Sequence, residues 1–298
     1  MATVTADEFR TALARFRREA RPGVVHTGRY RLGYRAWGSG PPVVFVHGMA
    51  DVGRSFVMVM AGLADRFTTI EYDLPNGLTD GSALGGYTHR GYVTDLTALL
   101  DHLGFRRAAV VGSSFGSTIA LAALATSPGR FSHGVLQGGF ARRPLLRWQH
   151  RLAQLARFWP GYQGDWPAIH AFVMARVEAH LKANVPPEVW RFFLANHGRT
   201  PFRAAALRTL TIGATDLRPV LSGLRVPLLQ LGGDRDPLVP KQYELEVTAG
   251  VPGAKRVEFA ECGHYPQYTH PGPMARAIAA LLGERLRASD IQDPAPPD

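Results

Sequence analysis

Three short stretches of this 298-residue chain carry residue types that can cooperate in nucleophilic catalysis. The first is Gly112-Ser113-Ser114-Phe115-Gly116. A serine hydroxyl attacks a carbonyl only when it is exposed and a base, usually histidine, can take its proton. Ser114 has glycine two residues before it and two after it, and glycine leaves room for a sharp, strained turn that lifts the residue between. Ser113 lacks that symmetry. The second stretch is Glu261-Cys262-Gly263-His264, with His264 as candidate base and His270 as a poorer competitor. The third holds Asp234 and Asp236, and either carboxylate could fix a histidine tautomer and stabilise its imidazolium. Cysteine and histidine do not cluster at metal-ligand spacing, so neither metal nor cofactor is expected. Cys262 is the single cysteine and reads as small packing.

Residues so far apart in the chain need a scaffold to bring them together. Residues 5–20 read as an amphipathic helix with a Thr5/Glu8 capping box and Phe9, Leu13 and Phe16 on one face. Strands follow at 24–26 and 30–37, and then strands alternate with helices. The strands are 43–46, 68–72, 108–111, 134–136, 227–231 and 256–259. The helices are 55–63, 88–103, 115–125 and 273–287. This alternation predicts an α/β fold, a mostly parallel open sheet with helices on both faces. Ser114 then lies directly between a strand and a helix, and that helix aims the N–H of Phe115 at the site. His264 follows the last strand at its carboxyl end, where open α/β sheets bind ligands.

Strand signals vanish over 141–212, where helical stretches at 145–158 and 169–182 replace them. The expected division is an appended helix (1–22), a core (23–140 and 213–288), a helical cap (141–212) and a disordered tail (289–298).

On these motifs the chain resembles the α/β-hydrolase superfamily over about residues 30–282, in its lidded esterase, haloperoxidase-like and proline-iminopeptidase-like branch. The resemblance implies an α/β-hydrolase fold with an inserted helical cap. It also implies the chain order Ser, acid, His. Gly233-Asp234-Arg235-Asp236-Pro237 fits the family's acid loop with Asp236 as the acid, which leaves Asp234 solvated or paired with Arg235. The site acid used by some relatives after the strand ending near Gln137 is absent. His47-Gly48-Met49 resembles the family's His-Gly-X segment. That likeness assigns the N–H of Met49 to the oxyanion hole beside that of Phe115, and His47 to bracing the loop. Tyr72-Asp73-Leu74-Pro75 resembles a further family turn but departs from it at residues 76–80.

Charge narrows the substrate class. The net charge is +10, and residues 141–225 hold thirteen Lys and Arg against four Asp and Glu. Such a surface is a solvated face or suits an anionic substrate or peripheral membrane contact. Nucleic acid is not expected, because no recognised binding motif accompanies the charge. A serine nucleophile argues against haloalkane dehalogenase or epoxide hydrolase chemistry. A cap poor in acids argues against an aminopeptidase. The expected function is hydrolysis of a small to medium hydrophobic ester through an acyl-serine. The alternatives are a cofactor-free perhydrolase or haloperoxidase, a C–C bond hydrolase with the same three residues, and a non-catalytic scaffold binding lipid or protein through the cap. Phe158, Trp159, Phe172, Trp190, Phe192 and Phe193 either line an acyl pocket or pack the cap onto the sheet. No secretory pattern opens the chain and no apolar run is of membrane-spanning length, so a cytoplasmic location is expected.

Overall fold

The computed structural model describes residues 4–166, 171, 174, 175, 177 and 181–283. The strands are β1 (Arg21–His26), β2 (Arg31–Trp37), β3 (Pro42–Val46), β4 (Thr68–Tyr72), β5 (Ala108–Ser113), β6 (Phe131–Gln137), β7 (Leu228–Gly233) and β8 (Lys255–Phe259). They form one sheet in the order β1-β2-β4-β3-β5-β6-β7-β8. β2 runs antiparallel to β1 and β4, and every later pair is parallel. β3, β5 and β7 are buried along their whole length, as strands covered on both faces must be. The outer strand β8 instead carries Lys255, Arg256 and Glu258, charges that discourage edge pairing with another chain.

Side chains alternate across the sheet and feed two cores. Val43 and Phe45 join Phe56, Phe259 and Met274 on one side, while Val44 and Val46 join Ile70, Leu96 and Ile119 on the other. The covering helices are α1 (Ala6–Glu19), α2 (Val57–Ala61), α3 (His89–His102), α4 (Phe115–Thr126), α9 (Lys241–Gly250), α10 (Pro266–Thr269) and α11 (Pro271–Gly283). α1 begins at the expected capping box, with Glu8 N–H donating to Thr5 Oγ1 at 3.2 Å and Thr5 N–H to the Glu8 carboxylate at 2.7 Å. α11 starts at Pro271, two residues before the expected Pro273, because proline fits a helix's first turn.

Between β6 and β7 lie α5 (Arg147–Ala156), α6 (Pro187–His197), α7 (Phe202–Ala214) and α8 (Arg218–Leu221). The two ends of this insertion meet, with Leu217 N–H donating to Ala141 O at 2.8 Å and Arg142 pairing with Asp216. α1 fastens to both parts of the molecule: Phe16 packs on Trp37 at 5.7 Å and Phe9 on Phe192 of α6 at 5.2 Å. Most of the expected helix 169–182 lies outside the described residues, as does the tail 289–298. Among the described residues no helix is long and apolar enough to cross a membrane.

Candidate active site

β5 ends and α4 begins at Ser114, whose φ of 50° and ψ of −113° are sterically costly for a residue with a side chain. Both flanking glycines are required. A Cβ on Gly112 would collide with the Gly116 carbonyl, and one on Gly116 with the Val46 carbonyl. Ser114 N–H donates to Gln137 O at 2.8 Å, which ties the turn to the end of β6.

Asp236 and His264 meet above the neighbouring strand ends. His264 Nδ1 lies 2.6 Å from Asp236 Oδ2, with both side chains buried. The other carboxylate oxygen accepts from the N–H of Leu238 at 2.8 Å and of Val239 at 2.9 Å. Burial pushes the Asp236 carboxyl up. The charge interaction and hydrogen bond with His264 and these two N–H groups outweigh burial and hold it below the ordinary carboxylate range. A side chain at Gly138 would meet the His264 ring at 2.9 Å, so the ring sits over the residue next to Ser114's partner Gln137. Ser114 Oγ makes no hydrogen bond to the ring in this structure, and such contacts commonly tighten only when substrate binds.

Asp234 is exposed, as expected, and has a further task. Its Oδ1 accepts the N–H of Cys262 at 3.0 Å, bracing the histidine loop, while Arg235 reaches Glu261 at 3.5 Å. Ser113 is buried and donates to Gln137 Oε1, and Gln137 Nε2 donates to His264 O at 2.8 Å. Gln137 thus couples the serine turn to the histidine loop. His270 stacks on Phe259 at 5.6 Å. Burial pushes the Cys262 thiol up to about 12, which keeps it in its unreactive protonated form.

The N–H groups of Phe115 and Met49 make no hydrogen bond to another protein group among the described residues. Gly48 lies over Ser114, its Cβ position 3.6 Å from that of the serine. His47 braces this loop as expected, accepting Leu74 N–H at its Nε2 (2.9 Å) with Nδ1 2.8 Å from Gly48 O. Burial and the nearby Arg208 cation lower it to about 3, so the ring is neutral. The 76–80 loop is closed by its own side chains: Asp80 accepts from Asn76 N–H at 2.6 Å, and Asn76 accepts from Leu78 N–H at 2.7 Å.

Arg208 of α7 went unread in the sequence. It is buried and donates to Met49 O at 2.6 Å, Pro75 O at 3.0 Å and Leu74 O at 3.3 Å. A guanidinium held through its two terminal nitrogens by main-chain carbonyls joins the insertion to the loop bearing Met49. Arg54, Asn196, Tyr268 and Asp51 form a second tie, with Arg54 donating to Asn196 at 2.7 Å and Tyr268 OH to Asp51 at 3.4 Å. Burial pushes the Asp51 carboxyl from 3.8 up to about 7. A folded-state pKa above the unfolded one favours folding at low pH, and that contribution fades as pH rises through about 7. Asp51→Asn is therefore expected to gain on the wild type by about 1.4 kcal/mol per pH unit between about pH 4 and about pH 7. Denaturant titrations across that window measure the difference.

The aromatic candidates mostly pack. Trp190 stacks on Phe193 at 5.4 Å, Phe193 meets Tyr265 at 5.0 Å, and Phe192 meets Tyr268 at 6.4 Å. Phe158 and Trp159 are exposed, and Phe172 lies outside the described residues. Val177, Leu181, Pro237, Gly263, His264, Tyr265 and Thr269 enclose a cavity of about 10 Å³, room for about one water.

A parallel sheet with a strained serine turn and an acid–histidine pair at its carboxyl edge is the arrangement of one fold family. The family model described as the alpha/beta hydrolase fold matches residues 41–271, and the chain belongs to that family. It is 26% identical over 266 residues to a 2-hydroxymuconate semialdehyde hydrolase of Pseudomonas putida, covering 86% of this chain and 92% of the relative. It is 28% identical over 267 residues to a pimeloyl-[acyl-carrier protein] methyl ester esterase of Stenotrophomonas maltophilia, covering 81% and 92%. The fold of a thermophilic esterase from Thermogutta terrifontis superposes with a TM-score of 0.76 at 23% identity, covering 89% of this chain and 99% of that one. Family and relatives alike make the chain an enzyme of the hydrolase class.

Proposed function

We propose that the protein hydrolyses a small to medium hydrophobic carboxylic ester through an acyl-Ser114 intermediate, acting in the cytoplasm. The observation that carries this reading is the Asp236–His264 hydrogen bond formed beside the strained Ser114 turn. In the forward step Ser114 Oγ bonds to the acyl carbon while its proton passes to His264 Nε2. The N–H groups of Met49 and Phe115 receive the oxyanion. Collapse breaks the ester C–O bond, and the alcohol leaves with the proton from His264. Water then attacks the acyl-enzyme, giving its proton to His264 and returning Ser114 with the free acid. The relative named as a methyl ester esterase supports an ester substrate.

Segment 141–212 serves as the cap. In this reading the cap gates entry of the ester to the site. A chain-length series of p-nitrophenyl esters, with titration of active sites, tests the reading. Turnover should peak at a short to medium acyl chain. Absence of turnover across the series would reject an esterase.

Arg208 is a positioning residue in this scheme, since it holds the carbonyl of the residue whose N–H meets the oxyanion. Arg208→Met should lower kcat about 10- to 100-fold with KM little changed, because a donor displaced by a fraction of an ångström loses most of its effect in the transition state. Arg208→Lys, which keeps a donor, should recover part of that loss. A merely structural role would instead lower the melting temperature and leave kcat per folded molecule intact.

A further inference from the structure

α5 has one face turned to the protein and two turned outward. Gln149, Ala153 and Ala156 are its least exposed positions. Trp148, Leu152, Leu155 and Trp159 follow one another at helical spacing and stand in solvent, Leu155 at 71% exposure, with Phe158 at 75% just beyond the helix. Seven of the eleven exposed large apolar side chains among the described residues fall between Leu146 and Trp166. The adjoining face carries Arg147, His150 and Arg151, which with Pro144, Leu145, Gln154 and Gly213 line an open groove of about 430 Å³. Arg157 lies over the Phe158 ring at 4.6 Å. Asp165 is the one acidic residue between Arg142 and Trp166.

We infer that α5 docks the protein on an anionic lipid bilayer. Side chains this exposed make a ridge rather than a hollow, so they fit a deformable apolar phase better than a rigid protein surface. Leucine and tryptophan on one face beside arginine on the next is the pattern of helices lying in the headgroup region. The arginines sit beside the inserting residues, where phosphates would be, and contribute attraction that salt screens. This surface does not depend on the esterase reading, because none of its residues belongs to the candidate site.

Co-sedimentation of the full chain with large vesicles tests it. The protein should pellet with phosphatidylglycerol/phosphatidylcholine vesicles at low salt and stay in solution with phosphatidylcholine alone. Leu152→Glu/Leu155→Glu should weaken binding at least about tenfold, since two buried leucines are lost. Arg147→Glu/Arg151→Glu should weaken it by a similar factor at low salt and by less at high salt. Melting temperatures should match the wild type, as all four positions are exposed. Failure to pellet with anionic vesicles would overturn the proposal, as would binding unaffected by either pair of substitutions. So would a wild-type dimer on size-exclusion chromatography that Leu152→Glu/Leu155→Glu splits, which would assign the ridge to a second copy of the chain.

Discussion

Ser114→Ala is expected to lower kcat on the order of 10⁵-fold while leaving the fold as stable as the wild type to within about 0.5 kcal/mol. The two halves of this result have separate causes. Ser114 Oγ makes no hydrogen bond among the described residues, so its removal leaves none of them without a partner. The strained backbone of φ 50° is no harder for alanine than for serine, and the main-chain bond from Ser114 N–H to Gln137 O is kept. Chemistry, by contrast, loses its nucleophile. What would remain in the proposed mechanism is the contribution of the two N–H groups assigned to the oxyanion and of substrate positioning to attack by water, roughly 10³- to 10⁴-fold over solution. Turnover of a p-nitrophenyl ester and a thermal melt on the same preparation measure both halves.

Asp236→Asn should reduce kcat on the order of 10⁴-fold. The carboxylate fixes the ring by accepting from Nδ1 at 2.6 Å, which in the proposed mechanism leaves Nε2 free to take the serine proton. An asparagine held by the Leu238 and Val239 N–H groups through its oxygen presents an amide N–H to the same ring nitrogen. The ring must then carry its hydrogen on Nε2, facing the serine, and it can no longer act as base. The same change at Asp234 leaves the tautomer alone, because that side chain contacts the Cys262 N–H and not the ring. Comparing kcat for the two variants distinguishes the two carboxylates directly.

What could be read in advance was whatever a few consecutive residues determine. The serine turn was legible because Gly112 and Gly116 stand where any Cβ would strike main chain. The capping box of α1 spans only four residues and formed as expected. The apolar runs of β3, β5 and β7 announced strands buried on both faces. Arg208 is another matter. It reaches Met49 across 159 residues, and in the sequence it is one of thirteen basic residues in a charged stretch. Gln137 bonds to His264 across 127 residues, and no local pattern marks it. Asp234 is exposed as expected, but the close approach of the Asp236 and His264 loops also gives it the Cys262 N–H, a contact no local pattern marks. The cap aromatics divide by register alone. Phe192 and Phe193 turn inward, while Phe158 and Trp159 turn outward, and composition could not separate them.

The most direct test of the proposed chemistry is reaction with a fluorophosphonate probe followed by peptide mapping. An activated serine displaces the fluoride and keeps the phosphonyl group. One adduct per chain, located on Ser114 and lost in Ser114→Ala, is the predicted result. An unlabelled wild-type protein, or a label that persists in the alanine variant, would contradict it.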